Sequence, residues 1–192
     1  MSRPAAFIDR DGTLTEEVGY VNHPGRLRLL PRTAEAIRRL NAAGVAAVVV
    51  TNQAGIARGY FSEDVLQATN AELLKQLKRA GASLDGLYVC PHHPTEGQPP
   101  FRGHCECRKP KPGLVLRAAS ELGLDLAAST VIGDRPSDLT MAHAVGARGV
   151  LVLTGYGRGE WEYRRATFPV TPDHVAGDLL DAVEWMLRQR SE

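Results

Sequence analysis

The stretch Ala5-Ala6-Phe7-Ile8-Asp9-Arg10-Asp11-Gly12-Thr13 passes from four apolar residues directly into two carboxylates. A short apolar run of this kind is typical of a strand buried inside a sheet. Asp9 and Asp11 follow the end of that strand, and two neighbouring carboxylates are costly to remove from water unless they share a cation or a proton. A hard, oxygen-seeking cation such as Mg²⁺ meets that need. The stretch therefore predicts a buried strand, followed either by a site for a cation such as Mg²⁺ or by a polar turn in which Asp hydrogen-bonds its own backbone.

Apolar runs alternate with segments of helical spacing along the rest of the chain. Further strands are predicted at residues 45–50, 84–89, 129–132 and 149–153, and helices at 33–43, 62–80, 112–122, 137–145 and 175–188. This alternation predicts an α/β fold with a doubly wound, Rossmann-like parallel sheet. Ligands of such sheets bind beyond the carboxyl ends of the strands, so the residues that follow each apolar run are the candidates for chemistry.

The composition is that of a globular protein and argues against several classes of function. The length of 192 residues predicts a single domain over 1–192. Lys and Arg number 23 against 22 Asp and Glu, and the net charge of +1 speaks against a nucleic-acid partner. No apolar run approaches the roughly 20 residues of a membrane span, and no signal peptide is recognised, so we expect no membrane partner and a cytoplasmic location.

Three more polar segments stand at predicted strand ends or helix starts. Thr51-Asn52-Gln53 offers a hydroxyl and two amides after the second strand, and Arg108-Lys109 presents two cations before a helix, where anions bind readily. Gly133-Asp134-Arg135-Pro136-Ser137-Asp138 again places two carboxylates after an apolar run. Taken singly, each segment also has a structural explanation, as a turn, a solvated basic loop or a helix cap.

The loop over residues 90–107 contains all three cysteines of the chain, as Cys90-Pro91-His92-His93 and Cys105-Glu106-Cys107. An odd number of closely spaced cysteines is unlike a disulfide framework and fits a reducing compartment. Three thiolates and one imidazole can complete a tetrahedral zinc site with no open position, which is the form of a structural site. The spacing leaves His92, His93 and His104 open as the fourth ligand.

The order of these segments resembles the four motifs of the haloacid dehalogenase (HAD) superfamily of phosphotransferases. The resemblance implies that Asp9 is a nucleophile that forms an aspartyl phosphate, and that Asp11 protonates the leaving group and then activates water. It implies that Thr51 and Lys109 hold the phosphoryl oxygens. Asp9, the backbone carbonyl of Asp11 and Asp134 would then bind Mg²⁺.

The cysteine loop is similar to that of the D-glycero-D-manno-heptose 1,7-bisphosphate phosphatases, within the same superfamily. This resemblance implies that Cys90, His92, Cys105 and Cys107 bind Zn²⁺, and that Arg108 recognises a remote phosphate of the substrate. It also implies that the enzyme removes the 7-phosphate in the synthesis of surface polysaccharide. The other residues that it places on the sugar phosphate are Glu17, Gly19, Tyr20, Asn52, Gln53 and Arg135.

The sequence departs from that family's pattern in two places, and both lie on the substrate side. The heptose enzymes often have Asp-His where this chain has Glu17-Val18, and Ser where it has Ala54. The sugar phosphate and its anomer are therefore less well specified than the hydrolysis itself. Because residues 13–32 and 90–111 are too short for a separate cap domain, we expect a capless enzyme with a small substrate. We also expect a monomer.

Three other functions share part of this pattern. Histidinol-phosphate phosphatases are similar in sequence and share the metal loop. Receiver domains that accept phosphate use an acidic pair, a Thr and a Lys, but they need an Asp after a central strand, where this chain has Thr51 or Cys90. A zinc-bearing nucleic-acid module is disfavoured by the charge balance. Residues 155–159 resemble a dinucleotide fingerprint, but Glu160 stands where the last glycine is needed, and we predict a flexible loop there.

Overall fold

A computed structural model describes residues 2–190 and contains one sheet of six parallel strands, in the order β3-β2-β1-β4-β5-β6. The strands are β1 (Arg3–Ile8), β2 (Ala46–Asn52), β3 (Gly86–Cys90), β4 (Leu124–Gly133), β5 (Arg148–Val152) and β6 (His174–Ala176). The helices are α1 (Thr33–Ala42), α2 (Glu63–Arg79), α3 (Gly113–Leu122), α4 (Pro136–Ala144), the short α5 (Gly157–Gly159) and α6 (Leu179–Arg188). The predicted α/β fold with a doubly wound parallel sheet is confirmed.

The register of the central strands brings their polar ends together. Ile8 of β1 lies level with Val49 of β2 and with Ile132 of β4. The chain therefore leaves these three strands at one edge of the sheet, with Asp9 next to the segment that follows β4. Asp9 also donates its backbone N–H to the carbonyl oxygen of Ile132 at 3.0 Å.

Apolar side chains alternate between the two faces of the sheet. Ala6 and Ile8 belong to a buried cluster with Ile37 of α1 and Val183 of α6, on one face. Phe7 belongs to a second cluster on the other face, with side chains of α3 and α4 that include Leu114 and Met141. Covering both faces explains the continuous apolar runs in β1 and β2, since neither strand has a solvated side.

The structure differs from the prediction at the end of the chain. The helix expected from residue 175 begins at Leu179, because Asp178 caps it: its Oδ1 accepts the backbone N–H of Asp181 at 3.0 Å. The preceding residues form β6 instead, and Ala176 accepts a hydrogen bond from the N–H of Leu153 at 2.9 Å. A three-residue edge strand without an apolar run gives no periodic signal that predicts it.

Two smaller differences concern element boundaries. Strand β4 begins at Leu124 rather than at 129, because a register shift between Pro4 and Ala6 adds an early pair of residues to the ladder. Strand β3 runs to Cys90, one residue past the prediction, so that the first cysteine lies within the sheet. Among residues 2–190, none of the helices combines the length and the apolar character needed to cross a lipid bilayer.

Candidate active site

A pocket of about 470 Å³ opens at the carboxyl edge of the sheet. Fifteen residues line it, among them the catalytic and substrate-side residues singled out in the sequence: Asp9, Asp11, Glu17, Gly19, Tyr20, Thr51, Asn52, Gln53, Arg108, Lys109 and Arg135. Sequence reasoning missed Tyr156 and Ser137 as lining residues. Tyr156 lies in the segment predicted as a flexible loop, and an isolated aromatic residue between glycines carries no motif that would have identified it.

Lys109 is buried at the base of the pocket between two carboxylates. Its Nζ lies 2.8 Å from Asp9 Oδ1 and 2.7 Å from Asp138 Oδ1, and it donates to the carbonyl oxygen of Val50 at 3.2 Å. Burial alone would lower the pKa of this ammonium, but the carboxylates of Asp138 and Asp9 outweigh burial and raise its pKa above the usual value. Lys109 is therefore a fixed positive charge beside Asp9.

The two oxygens of Asp9 differ in their contacts. Oδ1 accepts hydrogen bonds from the backbone N–H of Arg10 at 2.8 Å and faces the ammonium of Lys109. Oδ2 receives no hydrogen bond from any residue that the structure describes. The side chain of Asp9 is 13% exposed and lines the pocket. One carboxylate oxygen is thus held by the protein, and the other is open to a ligand.

Asp134 belongs to the same carboxylate cluster as Asp9 and is fully buried. Its Oδ2 accepts the backbone N–H of Tyr156 at 2.8 Å, whereas Oδ1 has no partner within residues 2–190. Burial, and after it the carboxylates of Asp9 and Asp138, raise the pKa of Asp134 to about 8. An orphaned carboxylate oxygen in such a position is costly unless a cation compensates it.

These carboxylates fit the predicted magnesium site. Asp9, Asp134 and Asp138 each offer an oxygen, and these oxygens lie within 4.8 Å of one another. When all three are ionised, Lys109 balances one charge and leaves an excess of two, which is the charge of one divalent cation. Because both oxygens of Asp138 already contact Lys109 and the N–H of Arg135, the oxygens left open belong to Asp9 and Asp134.

Two glycines with left-handed backbone conformations close over Asp134. Gly12 has φ +83° and Gly155 has φ +54°, and a Cβ on either residue would overlap Asp134 Oδ2. The Cβ on Gly155 would also come within 2.5 Å of Gly12 Cα. Within the predicted loop 155–159, residues 157–159 form the short helix α5, and Gly155 packs against Asp134 and Gly12.

We expect Gly155→Ala to displace Asp134 and to weaken Mg²⁺ binding by about 10-fold or more, since support of a metal ligand is typically worth that much. Left-handed strain of about 1–2 kcal/mol adds a loss of stability. The control is Gly159→Ala in α5, where φ is −65° and the space around the Cβ is open. Titration calorimetry with Mg²⁺ and thermal melts would compare the two variants, and equal behaviour of both would contradict the packing argument.

The amides of Asn52 and Gln53 are committed to neighbouring protein groups. Asn52 accepts the backbone N–H of Lys109 at 3.1 Å and donates to the carbonyl oxygen of Lys109 at 3.3 Å. Gln53 Nε2 donates to Asp11 Oδ2 at 2.7 Å and to Thr51 Oγ1 at 2.9 Å. Both side chains line the pocket, but their hydrogen bonds hold the Lys109 backbone and the side chains of Asp11 and Thr51 in place.

The rim of the pocket carries two guanidinium groups without a carboxylate partner among the described residues. Arg108 donates to the carbonyl oxygen of His92 at 3.0 Å, and the guanidinium of Arg135 stacks on the ring of Tyr156 at 3.7 Å. Glu17 lies on the same rim, where burial raises its pKa despite the hydrogen bond from the N–H of Gly19 at 2.6 Å. The mouth thus combines unpaired cations with one acidic group.

A second cluster forms beside the pocket from the three cysteines and one histidine. The Sγ of Cys107 lies 3.0 Å from that of Cys90 and 3.3 Å from that of Cys105, and His92 Nδ1 lies 3.4 Å from it. His92 is therefore the fourth member, while His104 is exposed. Burial raises the pKa of the Cys90 thiol well above its usual value, so a cation is needed to hold it as a thiolate. The cluster is compatible with a structural zinc ion.

Cys107→Ser is expected to lower both the zinc content and the stability of the protein, because the site loses one of its four ligands. We expect less than about 0.3 zinc per chain and a melting temperature at least about 5 °C lower, the effect of roughly 2 kcal/mol in a chain of this size. His104→Ala is the control and should keep full zinc content. Metal analysis of the folded variants checks both, and full zinc in Cys107→Ser would remove Cys107 from the ligand set.

Comparison with known proteins agrees with this geometry. Residues 106–182 match the family model described as HAD-hydrolase-like. The chain is 42% identical to the D-glycero-D-manno-heptose-1,7-bisphosphate 7-phosphatase of Thermosynechococcus vestitus, over 97% of this chain and 96% of the relative. It is 38% identical to the D-glycero-beta-D-manno-heptose-1,7-bisphosphate 7-phosphatase of Escherichia coli K12, over 100% of this chain and 92% of that protein.

A solved structure has the same fold over nearly its entire length. The D,D-heptose 1,7-bisphosphate phosphatase of B. bronchiseptica, in complex with magnesium and phosphate, superposes with a TM-score of 0.83 and 33% identity, covering 96% of this chain and 99% of that one. Sequence relatives and fold thus agree over almost the full chain. On these grounds the chain belongs to the D-glycero-D-manno-heptose-1,7-bisphosphate 7-phosphatase family of HAD-like hydrolases.

Proposed function

We propose that this protein is a Mg²⁺-dependent phosphatase that removes the 7-phosphate from D-glycero-D-manno-heptose 1,7-bisphosphate. The observation that carries the proposal is the open Oδ2 of Asp9 in the pocket, on a carboxylate whose other oxygen faces the ammonium of Lys109 and which clusters with Asp134, whose Oδ1 has no partner among the described residues. A nucleophile, a fixed cation and a metal-binding oxygen at one point are the requirements of phosphoryl transfer through a carboxylate.

The first step is attack of Asp9 Oδ2 on the phosphorus atom. A bond forms between that oxygen and phosphorus, the bond to the sugar oxygen breaks, and Asp11 gives the leaving oxygen a proton. In the second step water attacks the phosphorus atom of the aspartyl phosphate and Asp11 takes a proton from the water. The bond between Asp9 Oδ2 and phosphorus breaks, which regenerates the Asp9 carboxylate and releases inorganic phosphate. Asp11 lines the pocket with 20% of its side chain exposed, which suits both transfers.

The phosphoryl oxygens need positive charge as the bonds change. Lys109 Nζ and the hydroxyl of Thr51, which both lie in the pocket, would hold them. Mg²⁺ would be held by Asp9, the backbone carbonyl of Asp11 and Asp134, and when bound it supplies charge neutralisation at the transferring group. Asp138 would orient Lys109, because it contacts the ammonium at 2.7 Å.

The rim supports a substrate that carries a second phosphate. Arg108 and Arg135 would bind that group, since both present guanidinium donors and neither lies within salt-bridge distance of a carboxylate of the described residues. Glu17, Gly19 and Tyr20 would contact the sugar from the opposite loop.

Histidinol phosphate is a second candidate substrate, favoured by Glu17. A carboxylate at the pocket mouth would pair with the ammonium of an amino alcohol, which a sugar bisphosphate lacks. Two arginines at the same mouth favour the bisphosphate, because each can form charge-assisted bonds to a second phosphate.

Phosphate release from both compounds distinguishes the candidates. We expect kcat/KM for the heptose bisphosphate to exceed that for histidinol phosphate by about 100-fold, and release of one phosphate per molecule, only with Mg²⁺ present. Arg108→Met should reduce the preference for the bisphosphate over the heptose 7-phosphate. A higher kcat/KM for histidinol phosphate would select the second candidate, and no release from either compound would overturn the proposal.

A further inference from the structure

Arg10 occupies the position between the two carboxylates of the first motif and is fully buried. Its side chain has 0% relative exposure, which is exceptional for an arginine. A guanidinium is tolerated there only if its charge and its N–H groups are satisfied. The partners of Arg10 are therefore informative about what the group does.

Arg10 donates two parallel hydrogen bonds to the carboxylate of Asp11. Nε donates to Oδ1 at 3.1 Å and Nη2 donates to Oδ2 at 2.9 Å. A bidentate pair of this kind fixes the plane of a carboxylate as well as its position. The other terminal nitrogen, Nη1, donates to Asn70 Oδ1 at 3.0 Å, so helix α2 anchors the guanidinium from behind.

Two further donors complete the surroundings of the carboxylate. Gln53 Nε2 binds Asp11 Oδ2 at 2.7 Å, and the hydroxyl of Thr15 lies 3.3 Å from Oδ1. The same hydroxyl lies 3.2 Å from the backbone carbonyl oxygen of Arg10. Because a hydroxyl donates one hydrogen, Thr15 can turn to that carbonyl and leave one site on Oδ1 open without losing a hydrogen bond.

We propose that Arg10 is a positioning residue for proton transfer, which holds Asp11 so that Oδ1 carries the proton to and from the reacting oxygens. The inference rests on the proposed function. In the first step the proton moves from Asp11 Oδ1 to the sugar oxygen as its bond to phosphorus breaks. In the second step a proton of the attacking water moves to Oδ1 as the bond between Asp9 and phosphorus breaks. Arg10 itself gains and loses no atom.

A double-mutant cycle tests whether Arg10 acts through Asp11. We expect Arg10→Met to lower kcat on the heptose bisphosphate by about 100-fold and to change KM by less than about 3-fold, because binding groups are untouched. In an Asp11→Asn background the same substitution should lower kcat by less than about 3-fold. A similar loss in both backgrounds, or an unchanged kcat in Arg10→Met, overturns the proposal.

A substrate with a good leaving group gives an independent measurement. p-Nitrophenolate leaves without a proton, so the Arg10→Met enzyme should release one equivalent per active site in a rapid burst and then turn over slowly, since only the second step needs Asp11. General damage to the site would slow the burst as much as the later turnover, and that result also counts against the proposal.

Two control variants keep the test independent of folding and of the identity of the substrate. Arg39→Met removes an exposed arginine that pairs with Glu35 and Glu184, and it should retain full activity. Arg10→Lys keeps the buried positive charge but cannot form the two parallel hydrogen bonds to the Asp11 carboxylate, and kcat should remain reduced by at least about 10-fold. If the wild-type protein hydrolyses p-nitrophenyl phosphate but not the heptose bisphosphate, the proposed substrate is wrong. The double-mutant cycle with Arg10→Met and Asp11→Asn can then still be measured on p-nitrophenyl phosphate, so the role of Arg10 is tested separately.

Discussion

Asp9→Asn is expected to lower phosphate release by about 10⁴-fold or more, because an amide cannot supply the electron pair that forms an aspartyl phosphate. The substitution preserves the local packing, since an amide oxygen can still accept the backbone N–H of Arg10 and a hydrogen bond from Lys109. The loss should therefore lie in kcat. Steady-state phosphate release measures kcat, and a thermal melt shows whether the variant remains folded.

The phosphorylated intermediate provides direct evidence for the same role. Acid quenching of the wild-type reaction within milliseconds should leave phosphate on a peptide that contains Asp9, and none on that peptide in Asp9→Asn. Asp64→Asn, on the exposed first turn of α2, is the matched control and should retain both activity and phosphopeptide. Turnover by Asp9→Asn at near wild-type rate would assign the nucleophile to another residue and end the mechanism proposed above.

The position of the site was predictable from the sequence because parallel strands share an edge. Asp9, Thr51 and Asp134 follow three different apolar runs, and the register of β1, β2 and β4 brings these run ends level. Because those strands are buried on both faces, their sequences are continuous runs of apolar residues, and the sheet was therefore predictable as well. Position at a strand end or helix start indicated Asp9, Asp11, Thr51 and Lys109, whereas the substrate-side residues Glu17, Gly19, Tyr20 and Arg135 came only from the family resemblance.

The features that the sequence did not predict depend on contacts between distant segments. Arg10 lies between the two carboxylates of the first motif, and nothing in the local sequence indicates that its guanidinium donates to Asn70, sixty residues later. Tyr156 enters the site only because Gly155 packs against Gly12, a contact between two loops. Strand β6 exists because β5 offers it a free edge, which depends on the order of the strands in the sheet.

The cysteine cluster and the phosphate site share a short connection. The N–H of Gln53 donates to the carbonyl oxygen of Cys90 at 2.7 Å, and Lys109 follows Cys107 by two residues. Asn52, at the carboxyl end of the neighbouring strand β2, hydrogen-bonds to the backbone N–H and to the carbonyl oxygen of Lys109. A closed metal site at this point would fix a loop that has little apolar packing of its own, and would thereby set the position of the ammonium beside Asp9.

Lys109→Met should be the most damaging single change outside the nucleophile, because it leaves two buried carboxylates without their cation. Removing one partner of a buried ion pair costs about 3–5 kcal/mol of stability. Loss of a preorganised charge at the transferring phosphoryl group should lower kcat by about 10³-fold. Burial raises the pKa of Asp9 to about 6 against the opposing effect of Lys109, so without the ammonium that pKa rises further and less of Asp9 is ionised at neutral pH.

The chain supplies a matched control two residues away. Lys111 is exposed, and among residues 2–190 its ammonium pairs only with Glu106, at 2.6 Å, so Lys111→Met should keep kcat within about 2-fold and stability within about 0.5 kcal/mol. Denaturant unfolding and phosphate release in saturating Mg²⁺ compare the two variants. Both substitutions remove one positive charge from the same loop. Equal losses of kcat and stability in the two variants would therefore show that the net charge of the loop is responsible. Losses confined to Lys109→Met would assign the effect to the buried contacts with Asp9 and Asp138.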